Sequence, residues 1–317
     1  MEIIFKCLIF CIILFVYLHI KFHLKTSEDL ELYEIDEPSK NKLEEICDLR
    51  QPVVFDFECE KIMETINKTH ISNHYSTFEI KLRNTEEVPE TDLYMSLQLA
   101  PAIQLFNQDL SSNYFSENNS EFIQETSLLK NIQMNDLFLR PYMVSNCNYD
   151  MLFGSDKSCT PFKYEINYRN YFLLTQGSAK IKFAPPHSIK YLQPNYDYEH
   201  FEFKSPINPW NPQQKYVTDY NKIKCLEYLL TPGKTFFVPA YWWYSIELTK
   251  NACVACFYYK TYMNNIAILP YYSLYALQIQ NIKQKNTHKN ENENETLQNE
   301  TLQNENENET IIDIKDE

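Results

Sequence analysis

Histidine and cysteine pairs are the first residues to weigh for chemistry, because their spacing decides what each pair can hold. His70 and His74 stand four residues apart, so on a helix both rings would share the face that grips zinc. A zinc site needs at least three protein donors, and no third ligand lies near; the pair reads as surface imidazoles. Cys253 and Cys256 form a Cys-x-x-Cys pair inside the apolar run ACVACFYY. Residues three apart on a strand point to opposite faces, so these thiols cannot chelate one ion and read as buried structural side chains. His187 and His200 flank a loop that also carries Asp197 and Glu199, but nothing in the sequence fixes the geometry of that cluster. No Gly-x-Ser-x-Gly elbow and no evident Cys–His nucleophile pair is present.

Composition removes further classes. The chain has 3 glycines, Gly154, Gly177 and Gly233, so neither a dinucleotide fingerprint nor a phosphate-cradling P-loop can be built. A net charge of −14 argues against a nucleic-acid partner, whose phosphates call for a basic surface. The 9 cysteines form no evenly spaced framework, which favours a reducing compartment over a disulfide scaffold.

The elements that would position any site begin with an apolar leader. Ile3–Leu24 is long enough for the ~20 residues of a membrane-spanning helix, with Lys6 and Lys21 placed to snorkel. No small-residue cleavage site follows, so residues 1–25 are expected to be an uncleaved, single-pass anchor inserted through residues 3–24, against the rivals of a cleaved signal or a buried helix. Lys21 and Lys25 follow the span, and the positive-inside rule leans toward a cytoplasmic folded domain. Asn-x-Ser/Thr sequons at Asn67, Asn118, Asn294, Asn299 and Asn308 would point the other way, but in so Asn-rich a chain they read as chance matches.

Residues 26–40 read as an acidic, exposed linker, 41–282 as the folded domain, and 283–317, KQKNTHKNENENETLQNETLQ onward, as a disordered acidic tail. Within the domain, NKLEEICDL and EKIMETIN have helical spacing, and 120–138 suits one or two amphipathic helices. Strand character marks QPVVF, TFEIKL, FLRPYMV (138–144), FKYEINYRNYFLLTQ (162–176) and SAKIKFAPP (178–186), with a hairpin turn at Gln176-Gly177. After an ordered loop over 187–222, CLEYLLTPGKTFFVPAYWWYSIEL and ACVACFYYKTYM supply three more strands, and NIAILPYYSLYALQIQNI a closing helix. Short β-runs linked by turns, with helices ahead of them, suggest a mostly β sandwich or barrel.

Three stretches in order, QPVVF (51–55), RNYFLLTQGSAKIKFAPP (169–186) and TPGKTFFVPAYWWYSIE (231–247), resemble the cupin-like JmjC family of Fe(II)- and 2-oxoglutarate-dependent hydroxylases, in the branch of the asparaginyl hydroxylase that inhibits hypoxia-inducible factor. The wording is also similar to cupin-like proteins of large DNA viruses. The resemblance covers about residues 41–262 and implies a double-stranded β-helix, a cupin or jelly-roll barrel with flanking helices. In that family Fe(II) is held by a His-x-Asp/Glu and by a second His just after the Trp-Trp pair, leaving positions open for co-substrate and oxygen. Here the corresponding positions hold Lys163, Tyr164 and Glu165 (or one residue later), and Tyr244 follows Trp242-Trp243. The family's co-substrate lysine falls at Ala179, and neighbouring Lys180 should face away. The expectation is a degenerate metal site with no catalytic residues, and a binding or structural role with a protein or peptide partner. Tyr164, Arg169, Tyr171, Trp242 and Trp243 are the candidate pocket residues. Fe(II) and 2-oxoglutarate enter only under the alternative, a hydroxylase with non-standard ligands.

Overall fold

Two sheets divide the strands of the computed structural model, which describes residues 2–57, 59–85 and 94–281. The chain forms two units, Met1–Asp197 with Glu202–Ile268, and Tyr198–Phe201 with the segment from Leu269 onward. In the second unit residues 269–281 are helical, and Phe201 stacks on Tyr275 with ring centroids 5.7 Å apart.

In the first unit a nine-stranded sheet runs in the order Tyr33–Ile35, Val53–Asp56, Lys234–Val238, Arg169–Gln176, Cys253–Thr261, Val144–Gly154, Tyr114–Ser116, Glu79–Asn84 and Met95–Gln98. A six-stranded sheet runs Asn195–Asp197, Glu202–Lys204, Lys163–Tyr164, Trp243–Leu248, Ala179–Ala184 and Leu226–Leu230. Neither sheet closes on itself. The pairing is antiparallel except for Tyr33–Ile35 beside Val53–Phe55.

Alternation along the central strands builds two cores. Phe172, Leu174, Phe236, Val238, Val254 and Cys256 point between the sheets, where they meet Ile181, Phe183, Trp242, Ile246 and Leu248. Tyr171, Leu173, Phe237, Cys253, Ala255 and Phe257 point the other way, into a layer of helices. Strands buried on both faces read as unbroken apolar runs, which is why RNYFLL and CVACFYY show no polar alternation. The helix Lys40–Cys47 contributes Leu43, Ile46 and Cys47 to the second core, and each fully buried side chain of this size contributes about 1.5–3 kcal/mol. Its first turn is capped by Ser39, whose hydroxyl accepts from the Lys42 N–H at 3.3 Å. The turn glycine at 177 has φ +77°, and a Cβ there would stand 2.7 Å from the Ala252 Cα, so no other residue fits that turn unstrained. The turn is not the expected hairpin: Arg169–Gln176 and Ala179–Ala184 take their partners in different sheets, so the chain crosses from one sheet to the other there.

Several expected elements are redrawn. Residues 138–143 form a turn, and the strand begins at Val144 and runs to Gly154. Its polar first half (Ser145, Asn146, Asn148) hides it from a pattern search; pairing along the whole of Cys253–Thr261 defines it. The run 162–176 splits into Lys163–Tyr164 and Arg169–Gln176 because its ends belong to different sheets. The segment expected as an exposed linker carries the edge strand Tyr33–Ile35, and Leu30 and Leu32 pack against the core between the sheets. The loop 187–222 contains two short helices and a two-strand hairpin. The tail 283–317 lies outside the described residues. The N-terminal helix spans Glu2–His23, long and apolar enough to cross a membrane.

Candidate functional site

Lys163, Glu165 and Tyr244 meet at one place. Antiparallel pairing sets Tyr244 directly opposite Lys163. The Tyr244 hydroxyl donates to Glu165 Oε1 at 3.1 Å, and the Lys163 ammonium stands 3.9 Å from the same oxygen. The tighter partner of Lys163 is Glu117, at 2.9 Å, a carboxylate only 2 % exposed. Glu117 also receives Arg83 at 3.1 Å and the Tyr94 hydroxyl at 3.2 Å. Arg83 continues to Glu202 at 3.2 Å, and Glu202 further accepts from Tyr94 and from Asn118 Nδ2, each at 2.8 Å, and pairs with Lys204. Alternating cations and carboxylates therefore run from Glu165 to Lys204 without a break.

The turn that carries Glu117 is pinned from the next strand. Asp150 accepts the backbone N–H groups of Asn118 at 2.8 Å and Asn119 at 2.6 Å, and Asn118 sits at φ 61°. Burial pushes the Asp150 carboxyl up to about 6 despite these bonds.

The electrostatics fix the protonation states. Burial disfavours the Lys163 ammonium, but Glu117 and Glu165 outweigh it and hold its pKa above the ordinary lysine range. Burial likewise works against the Glu117 carboxylate, yet Lys163 and Arg83 bring its pKa below the usual value. Glu165 loses that contest: burial pushes it up to about 7, with Lys163 and the Tyr244 hydroxyl only partly compensating. A carboxyl raised in the folded state binds its proton more tightly there, so the stability it contributes is complete below about 4.5 and is lost as pH rises through about 7. Glu165→Gln should therefore stabilise the fold at pH 8 by about 2 kcal/mol, a gain that vanishes toward pH 4.5, as read by urea denaturation across that range. An unchanged difference between the two pH values would contradict a raised Glu165.

Fe(II) does not fit these donors. A protonated ammonium has no lone pair to give, and burial, followed by the charge of Glu165, holds the Tyr244 phenol well above its ordinary pKa, leaving its proton directed at Glu165. Glu165 is then the sole carboxylate of the three positions, and iron needs three anchored donors. Ala179 lies fully buried between Leu230 and Leu248, and its methyl group brings no charge to meet a carboxylate co-substrate. Lys180 is on the other face of that strand, 3.4 Å from Glu247.

The candidate pocket residues scatter over three places. Tyr164 stacks on Phe203 at 4.9 Å and meets Trp243 edge-on at 5.0 Å. Trp242 is buried between the sheets, its indole N–H donating to the Arg50 carbonyl at 3.0 Å. Arg169 and Tyr171 face the helix layer instead: Arg169 pairs with Glu44 at 3.1 Å and Asp48 at 2.5 Å, and the Tyr171 hydroxyl lies 3.7 Å from the Cys47 sulfur. On a strand, odd and even residues part company, and Phe172 is the one whose ring reaches Tyr244, at 5.0 Å. His70 and His74 do share a short helix, their rings stacked at 4.1 Å. His187 binds Glu28 at 2.5 Å. Cys253 and Cys256 fall in different cores. Among the described residues no group of three or more His, Cys, Asp or Glu side chains is placed to hold a metal.

Glu117, Arg83, Tyr94, Asn118 and Glu202 are the functional neighbours that the sequence does not announce. Glu117 lies 46 residues from Lys163 in the chain, and Arg83 lies 119 from Glu202. No local motif links them; the sole hint is charge, an acidic residue directly after a short aromatic strand.

A family model described as the cupin-like domain matches residues 38–264. HSPB1-associated protein 1 from Mus musculus and from Bos taurus are each 30 % identical over 95 residues, 30 % of this chain and 20 % of the relative. The aligned part spans about a fifth of the length of these curated relatives. Matched over most of its described length, and with two facing sheets around a shared core, the chain belongs to the cupin-like domain family, within the JmjC and oxygenase superfamily.

Proposed function

We propose that this chain is a membrane-anchored double-stranded β-helix that binds or scaffolds rather than catalyses, its metal site replaced by an internal ion-pair network. The observation that carries this reading is the Lys163 ammonium, held 2.9 Å from buried Glu117 at the position where the resemblance puts an iron-binding histidine. A permanent cation there satisfies the surrounding carboxylates without a metal. Beside the network a groove of about 450 Å³, lined in part by Arg83, Thr160, Tyr196, Glu202, Lys204 and Asn208, offers a protein or peptide partner a polar, charged surface. The name of these curated relatives records association with another protein, which is in keeping with such a role.

The same reading puts the Glu2–His23 helix across a bilayer with the domain on the cytoplasmic side. Lys6 precedes the span, whereas Lys21 and Lys25 follow it, so the lysine bias leans toward the domain end. Two sequons do not weigh against that side, because their amide nitrogens are engaged: Asn67 Nδ2 donates to the carbonyls of Met63 at 3.1 Å and Glu64 at 2.6 Å, and Asn118 Nδ2 donates to the Tyr94 hydroxyl at 2.6 Å.

Iron binding and oxygen-dependent 2-oxoglutarate turnover, measured on the purified full chain, test the role. The expected result is no stoichiometric iron, no turnover, and no change of melting temperature with 2-oxoglutarate. Bound iron with turnover would establish the hydroxylase alternative.

A further inference from the structure

The end of the N-terminal helix is built into the domain rather than tethered to it. His23 is 8 % exposed, and its Nε2 lies 3.1 Å from the Thr261 hydroxyl. Its ring stands 5.0 Å from that of Tyr168. The guanidinium of Arg50, 2 % exposed, lies between the Phe22 ring at 5.1 Å and the Tyr168 ring at 4.7 Å. None of its nitrogens has a hydrogen-bond partner, so the ring faces are what hold this cation. The short helix Tyr262–Ala267 packs alongside the same apolar rod. The rod itself is solvent-facing along its apolar window, with none of that window buried. A helix fixed in this way also fixes which face of the domain meets whatever the helix enters.

That face carries large apolar side chains with no cover. Tyr262 is 60 % exposed, and its N–H bonds to the carbonyl of Met143, which is 74 % exposed; Tyr142 and Ile266 are exposed beside them. Lys40 stands 5.8 Å over the Tyr142 ring, and Lys21 and Lys25 follow one another near the end of the N-terminal helix. Single exposed apolar residues need no explanation, but a cluster of tyrosine, methionine and isoleucine beside a lysine, packed next to a membrane-length helix, has the composition of a lipid-interface contact.

We propose that the surface formed by Tyr142, Met143, Tyr262 and Ile266 lies on the lipid headgroup and upper acyl region of the membrane that the N-terminal helix enters, a proposal that rests on the anchor reading above. The contact holds the domain in one orientation. The register of the large sheet gives the control. Thr261 pairs with Val144, beside Met143, whereas Cys253 pairs with Phe153, Phe153 with Ser116, Ser116 with Leu82, and Leu82 with Met95. Met95 thus lies at the far end of strand Cys253–Thr261, about 26 Å away along it at ~3.3 Å per residue.

Both methionines report in one experiment on the full chain, reconstituted into vesicles of equimolar phosphatidylcholine and phosphatidylglycerol. Hydroxyl radicals generated on both sides of the membrane oxidise accessible methionine sulfur, and peptide mass spectrometry gives each rate. Met95 is 45 % exposed, so exposure to water alone makes Met143 the faster of the two. The proposal expects the order reversed, with Met143 oxidised several-fold more slowly than Met95. Carbonate washing of the same vesicles separates the two ways of failing. Release of the chain would overturn the anchor reading and this contact with it; retention with Met143 still the faster would overturn the contact alone.

Discussion

Lys163→Met should destabilise the fold by about 3–5 kcal/mol at pH 7, the usual cost of leaving one partner of a buried ion pair alone. Methionine nearly matches the stem of lysine in volume, so lost packing contributes little, and the effect isolates the charge. What remains is Glu117, 2 % exposed, with Arg83 as its surviving cation and Glu165 and Glu202 nearby. The pH dependence carries its own sign. Glu117 titrates below the ordinary range in the folded protein, so the stability it contributes with Lys163 is present above about 4.5 and is lost as pH falls through its lowered value. The gap between wild type and Lys163→Met should therefore narrow in acid, and adding Glu117→Gln should recover most of the loss at pH 7. Urea denaturation of the three proteins decides the matter. A neutral Lys163→Met would mean that the network is not held by this ammonium, and the argument against iron would lose its main support.

Arg169→Met should cost about 3 kcal/mol through a different core, the low end of the range for a broken buried pair. Arg169 is fully buried and ties strand Arg169–Gln176 to the helix Lys40–Cys47 through Glu44 and Asp48. Its guanidinium also lies 4.1 Å over the Tyr168 ring and 5.5 Å from that of Phe237, contacts worth about 1 kcal/mol or more when desolvated. The loss is moderated because Lys40 still meets Glu44 at 3.2 Å and the Asp48 side chain keeps partial access to water. Amide exchange should speed up across residues 40–50 more than in the strands between the sheets. Uniform acceleration would show that Arg169 supports the whole fold rather than this helix.

The sequence is legible where short-range chemistry decides the structure. The turn at Gln176-Gly177, the helix over NKLEEICDL and the opposite-face placement of Cys253 and Cys256 all follow from turn, helix and strand geometry, although the turn joins strands of different sheets and not the expected hairpin. It is opaque where tertiary pairing overrides local pattern. Val144–Gly154 becomes a central strand with asparagines in its first half because two neighbours supply its ladder, and Arg169 is kept out of the space between the sheets because strand parity turns it toward the helices. The site shows both. Lys163, Glu165 and Tyr244 stand in motif positions that a resemblance can locate, while Glu117 reaches them only because Asp150 holds its turn in place.

The edge strand Tyr33–Ile35 sets where the chain can be cut. A soluble version that began at residue 41 would strip the parallel partner from Val53–Phe55 and lift Leu30 and Leu32 off the core between the sheets. The bared edge presents unpaired N–H and C=O groups beside newly wetted apolar surface, the combination that invites strand addition from a second molecule. Self-association of such a fragment would report on the missing segment and would say nothing of the oligomeric habit of the intact chain.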